Sequence, residues 1–107
     1  INPGQLRAQI ESNLVWSIGM ALLERFEVAD NNIQSSNFDN YLIPRMQDMP
    51  SFDIEIIDQP GIPPAGAGEV ALVAGPPAIA NAIRNASGFR AVKLPIAFSD
   101  ITSGFKA

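Results

Sequence analysis

Gly66-Ala67-Gly68-Glu69 lies at the centre of a 25-residue stretch, Gln59 to Ile83, in which Glu69 is the one charged residue. Four of the chain's eight glycines (Gly61, Gly66, Gly68, Gly75) and five of its nine prolines (Pro60, Pro63, Pro64, Pro76, Pro77) fall inside it. That composition predicts a shaped, mostly apolar loop whose backbone comes close to another group. Gly66 and Gly68 allow conformations and approaches that a Cβ would block. An ionised carboxylate in apolar surroundings is costly unless it is exposed, paired, or used as a proton acceptor. Glu69 is therefore a candidate base, and a solvent-exposed turn carrying an incidental acid is the other reading of the same residues.

Downstream of this loop, Gly75-Pro76-Pro77 opens a helix with proline in its first turn. Ile79, Ala82, Ile83 and Ala86 form its apolar stripe, and Gly88 stops it. Ala91 to Ile96 reads as a last short strand, and the remainder to Ala107 as a mobile tail. Asn85-Ala86-Ser87 matches a glycosylation triplet but sits at a helix end and carries little weight.

Upstream, Asn2-Pro3 places a capping side chain before a proline at the first helical position. Ile10, Leu14, Ile18, Leu22 and Phe26 then recur every four residues, predicting one helix to about Arg25, roughly 33 Å long at about 1.5 Å per residue. Gly19 inside it predicts a close approach by a neighbouring element. Gln9, Glu11, Ser12 and Asn13 read first as a solvated edge, with the wall of a binding site as the alternative. Phe26-Glu27-Val28 and Ile33 to Phe38 form a predicted hairpin about Asp30-Asn31-Asn32, residues tolerant of positive φ. Phe52 to Ile57 alternates apolar and acidic residues as a half-buried strand does, leaving Asp53 and Glu55 in water. The expected class is α+β: a long N-terminal helix, short antiparallel strands, the Gly/Pro-rich loop and a second helix.

With 107 residues the chain is one domain or a piece of one, with a modest core. It opens on a helix signal at Ile1, as a processed chain or an excised portion of a larger protein would. Its net charge of −4 and lack of any Lys/Arg run argue against a nucleic-acid partner, and no apolar run approaches membrane-spanning length. Zero cysteines and zero histidines remove thiolate nucleophiles, iron–sulfur ligation, Ser-His-Asp triads and most zinc sites. Chemistry here must rest on carboxylates, amides and backbone.

Gly66-Ala67-Gly68-Glu69-Val70-Ala71 also fits the loose dinucleotide-binding fingerprint, but the context is wrong. A Pro-rich gap precedes it, Pro76-Pro77 would interrupt the required helix, and Phe89 stands where a ribose-binding acid is needed. Four ordered blocks instead resemble the C-terminal part of the molybdopterin-binding large subunit of molybdenum hydroxylases, the xanthine oxidase / aldehyde oxidase family. Asn2-Pro3 with Ala8-Gln9-Ile10-Glu11 is similar to the family's helix start. Ser36-Asn37-Phe38-Asp39-Asn40-Tyr41 with Arg45-Met46 and Pro50 resembles its "NFxxY…RMxxxP" segment, especially in bacterial proteins like the beta chain of isoquinoline 1-oxidoreductase. Gly66-Ala67-Gly68-Glu69 matches the "GxGE" loop, and Pro77-Ala78-Ile79-Ala80-Asn81-Ala82-Ile83 the helix after it.

The resemblance spans residues 1–95, with 96–107 as a tail. It implies that Glu69 is the active-site glutamate, taking a proton from a molybdenum-bound hydroxyl as oxygen attacks an electron-poor carbon of an aldehyde or N-heterocycle and hydride leaves. It implies cofactor contact for Gln9 and for the backbone of Gly66, Ala67 and Gly68. It further implies a molybdopterin-type molybdenum cofactor bound only with the rest of the large subunit, an iron–sulfur small subunit as electron partner, and an isolated segment without activity. A non-catalytic assembly module sharing the fold is the competing reading. Two departures from the family pattern stand out: Ser12-Asn13 replaces a glycine pair, and Val70 stands where many relatives have proline.

Overall fold

The computed structural model of the chain describes residues 2–104, so Ile1 and the end of the expected tail, 105–107, lie outside the described residues. Asn2 caps the first helix, α1 (Pro3–Ile18), its side-chain oxygen accepting from the Gly4 and Gln5 N–H groups at 2.9 and 3.1 Å. Pro3 follows in the first turn, where a missing N–H leaves no bond unmade. The helix continues as a π-helical turn, Gly19–Leu23, closed by the Glu24 N–H on the Gly19 carbonyl at 2.8 Å. Gly19 is buried, and a Cβ there would meet the Glu24 carboxylate and come within 3.0 Å of the Pro44 ring. This is the close neighbour that a mid-helix glycine predicts.

The buried face of α1 is not the predicted apolar one. Ile10, Leu14 and Ile18 are half-buried, and Leu22 and Phe26 are exposed. Asn13, Ser17 and Gly19 are buried instead, together with Ala21, which flanks the predicted apolar face. The reason is what packs there: loop backbone and the start of the second helix, which demand small side chains and hydrogen-bonding groups rather than bulk.

The hairpin forms as predicted but is short, with β1 (Val28–Ala29) antiparallel to β2 (Asn32–Ile33) in the register Val28 to Ile33. Asp30 and Asn31 both have positive φ, 50° and 58°, the type I′ geometry that suits a two-residue turn. Asn40 then gathers the Ser36 and Asn37 N–H groups on its side-chain oxygen, both at 3.0 Å. The Tyr41 hydroxyl donates to Glu24 at 2.9 Å, tying this turn to the end of α1.

Two predicted strands are absent from the described residues. Phe52 to Ile57 keeps part of its alternation, with Phe52 and Ile54 half-buried and Asp53 and Glu55 exposed, but has no partner strand. Its link to α1 runs through Arg7, whose guanidinium donates to the Ile54 carbonyl at 2.9 Å. Ala91 to Ile96 bends through a cis Leu94–Pro95 bond, and Ile96 donates its N–H to the Ala21 carbonyl at 2.7 Å. Alternation reports a half-covered surface, and a ladder needs a second chain segment alongside.

The second helix, α2 (Gly75–Ser87), ends at Gly88, whose φ of 76° is the left-handed cap a side chain would resist. Ile79, Ala80, Ile83 and Ser87 are its half-buried positions, while Ala82 and Ala86 are exposed. Where the sequence suggests a mobile tail, a third helix, α3, covers Phe98–Gly104, with the Asp100 carboxylate accepting from the Ala97 N–H at 3.1 Å.

Among the described residues, Ala21 and Ile96 are the buried hydrophobic side chains. Trp16, Phe26, Phe38, Met46, Ile57 and Phe98 are all more than half exposed. The radius of gyration is 17.1 Å, against about 13 Å for a compact domain of this length. The chain thus holds its elements together through polar and backbone contacts around α1 rather than around an apolar centre.

Candidate functional site

Gln9, Asn13 and Ser17 follow one another at four-residue spacing and make a polar stripe along α1. The glycine loop docks on this stripe. Gln9 Nε2 donates to the Gly68 carbonyl at 2.5 Å, and Asn13 Nδ2 donates to the same oxygen at 2.8 Å. Asn13 Oδ1 accepts from the Ala71 and Leu72 N–H groups at 3.1 and 3.2 Å. One turn on, the Ser17 hydroxyl donates to the Asn13 carbonyl at 2.8 Å and lies 3.3 Å from the Leu72 carbonyl.

Burial makes these contacts consequential. Asn13 is 2% and Ser17 1% exposed, and a polar group so enclosed destabilises the fold unless its hydrogen bonds are met. Every bond on the Asn13 amide is to backbone, so the loop it meets is specified by shape. Gly75 is buried against Ser17, and a Cβ there would overlap the serine side chain. The loop is consequently held at Gly68, at Ala71 and Leu72, and again at Gly75.

Glu69 lies between the first two of these attachment points. Its carbonyl accepts from the Leu72 N–H at 3.2 Å, forming a turn that leads toward α2. Its side chain is exposed and, among the described residues, enters no hydrogen bond or salt bridge. A fixed backbone thus presents an unengaged carboxylate to solvent, and the apolar surroundings that the loop's composition predicts for it are not supplied by the described residues. Val70, beside it, is also exposed.

The structure joins Gln9 to Gly68, two of the candidate residues, and fixes the backbone on either side of Glu69 to α1. Gly66 and Gly68 adopt no positive φ, and a Cβ on either would meet nothing within 4 Å. The close approach predicted at these glycines is therefore not made by this chain, and the face of the loop stands open. Sequence reasoning missed Ser17, and its first reading of Asn13, a solvated edge, is overturned by the burial of that side chain. Their signal was the spacing 9, 13, 17, which continues Gln9 along one helix face, whereas Ser12 is exposed and Glu11 pairs with Arg7 at 3.2 Å.

A concavity of about 730 Å³ lies between the start of α1 and residues 56–64, lined by Leu6, Ile57, Ile62, Pro63 and Pro64. Glu69 does not line it. Among the described residues no cluster of His, Cys, Asp or Glu could hold a metal ion. No helix of the described residues is long and apolar enough to cross a membrane.

Residues 1–50 match the family described as the molybdopterin cofactor-binding domain. The chain is 34% identical over 96 residues to a subunit of nicotinate dehydrogenase from Pseudomonas putida, covering 90% of this chain and 8% of that protein. It is 32% identical over 94 residues to the beta chain of isoquinoline 1-oxidoreductase from Brevundimonas diminuta, covering 88% of this chain and 12% of the relative. Quinoline 2-oxidoreductase from Pseudomonas putida 86 superposes with a TM-score of 0.85 at 26% identity, over 99% of this chain and 14% of that one. The chain spans about a tenth of the length of the relatives it matches.

The residues present fit a molybdenum cofactor that brings its own metal ligands. An amide at Gln9, a free carboxylate at Glu69 and an open glycine backbone can meet its edge, and the loop face has room that side chains would fill. The chain belongs to the molybdenum hydroxylase family and matches a segment of its molybdopterin-binding large subunit.

Proposed function

We propose that this segment supplies the general base, Glu69, and one wall of the cofactor pocket of an enzyme that hydroxylates an aldehyde or N-heterocycle with oxygen derived from water. The observation that carries the reading is the combination at Glu69: backbone anchored on both sides to α1, side chain unengaged and exposed. When bound, the molybdenum cofactor supplies the oxidising centre and accepts the electrons. Glu69 Oε1 or Oε2 takes up the proton released as the oxygen nucleophile is formed, then returns it to solvent. Gln9 contacts the cofactor edge. Its Nε2 gives one N–H to Gly68, which leaves the second N–H and Oε1 to offer, and the same side chain links the cofactor position to the loop of Glu69. The backbone of Gly66, Ala67 and Gly68 lies along the cofactor, where N–H groups can meet its oxygens.

The remainder of the large subunit completes the pocket and covers the exposed apolar side chains. Electrons leave through an iron–sulfur small subunit, since this cysteine-free segment holds no cluster ligands. In the complete enzyme, Glu69→Gln keeps the shape and removes the base. A cofactor-loaded variant with near-normal turnover would rule out the role. The competing reading, an assembly module without chemistry, requires a native complex that lacks molybdenum.

A further inference from the structure

Asn13 encloses Glu69 from both directions along the chain. Its amide nitrogen holds the carbonyl of Gly68, the residue before Glu69, and its amide oxygen holds the N–H groups of Ala71 and Leu72, two and three residues after. The position is almost completely buried, so these bonds are shielded from competition by water. Gln9 reaches the preceding carbonyl alone, whereas Asn13 bridges the turn.

We propose that Asn13 is a positioning residue for the reaction, setting the location and direction of the Glu69 carboxylate by clamping its turn at both ends. The inference rests on Glu69 being the base. A carboxylate on an exposed turn of small residues has wide freedom, and proton transfer needs the oxygen within hydrogen-bond reach of its proton. Displacement of a catalytic group by about 1 Å can cost on the order of 100-fold in rate. Removing the clamp therefore lowers the rate of the chemical step while leaving the substrate's binding surface in place.

The experiment compares Asn13→Ala, Asn13→Asp and Glu69→Gln in the complete, cofactor-loaded enzyme, measuring kcat, KM and molybdenum content for each. Asn13→Asp is isosteric and retains the acceptor for Ala71 and Leu72, so it tests the clamp where the alanine variant fails to fold. The expected result is a fall in kcat of about tenfold or more for both Asn13 variants, with KM and molybdenum content unchanged and with Glu69→Gln more severely impaired. Normal kcat in either loaded Asn13 variant, beside an inactive Glu69→Gln, overturns the positioning role alone. Normal turnover in Glu69→Gln removes the base and the clamp's purpose together. Loss of molybdenum from both Asn13 variants, or a change confined to KM, assigns Asn13 to folding or binding and also overturns the proposal.

Discussion

Ser17 and Gly75 meet so closely that a methyl group added at position 75 would occupy the space of the serine hydroxyl and Cβ, while remaining 3.6 Å from the serine Cα. The crossing of α1 and α2 is thereby set by one small side chain, Ser17, against a residue with none, Gly75. Gly75→Ala should destabilise the protein by about 1–3 kcal/mol, the usual range for overpacking, despite alanine's better helix propensity. Because the obstruction is the Ser17 side chain, adding Ser17→Gly should recover part of that loss. Thermal unfolding of both single variants and the double variant measures the coupling, and strict additivity would contradict the contact.

At the proposed base, chemistry and reach can be separated. Glu69→Gln should reduce turnover by roughly 10²–10⁴, the range for loss of a general base. Glu69→Asp retains an acid but withdraws it by one methylene, so its kcat should fall between those of the wild type and Glu69→Gln. Steady-state kinetics with matched molybdenum content gives the order directly, and an aspartate variant no better than the glutamine one would indicate that reach dominates over acidity.

The hairpin turn tests a local rule. Asn31 has a φ of 58°, a left-handed conformation that disfavours a β-branched residue by about 1–2 kcal/mol. Asn31→Val should therefore lower the unfolding temperature, and Asn31→Gly should leave it unchanged or raise it slightly. Equal melting of the two variants would mean that the turn does not contribute to the cooperative unit.

Tyr41 carries a pH signature. Its hydrogen bond to the Glu24 carboxylate, with partial burial and the adjacent negative charge, raises the phenol above its ordinary 10.0. A raised folded-state value means that the contribution to stability is complete below about pH 10 and is lost as pH rises through the folded value. Stability of the wild type should then fall more steeply on the alkaline side than that of Tyr41→Phe. In Glu24→Gln the tyrosine titration should move back toward 10, as followed by the difference in ultraviolet absorbance between enzymes with and without Tyr41.

Local signals proved readable where one residue type decides the geometry. Asn2 before Pro3, the Asp30-Asn31 turn and Gly88 after α2 each behave as their chemistry predicts. The strands expected at 52–57 and 91–96 failed because alternation describes which face is covered, and says nothing of a partner to complete the hydrogen bonds. The apolar periodicity of α1 likewise marked a real helix but the wrong buried face, since this chain packs backbone, not apolar side chains, against it.

From residues alone came the first two helices, the hairpin turn, the exclusion of thiol and imidazole chemistry, and a single carboxylate in a glycine-rich loop. Those follow from short-range sterics and from counting functional groups. Only the folded chain decided that Asn13 and Ser17 lie inside, that Gln9 and Asn13 share the Gly68 carbonyl, and that the Glu69 turn is fixed to α1. These contacts join residues more than 50 positions apart. An amide side chain looks the same in sequence whether water or a distant backbone satisfies it.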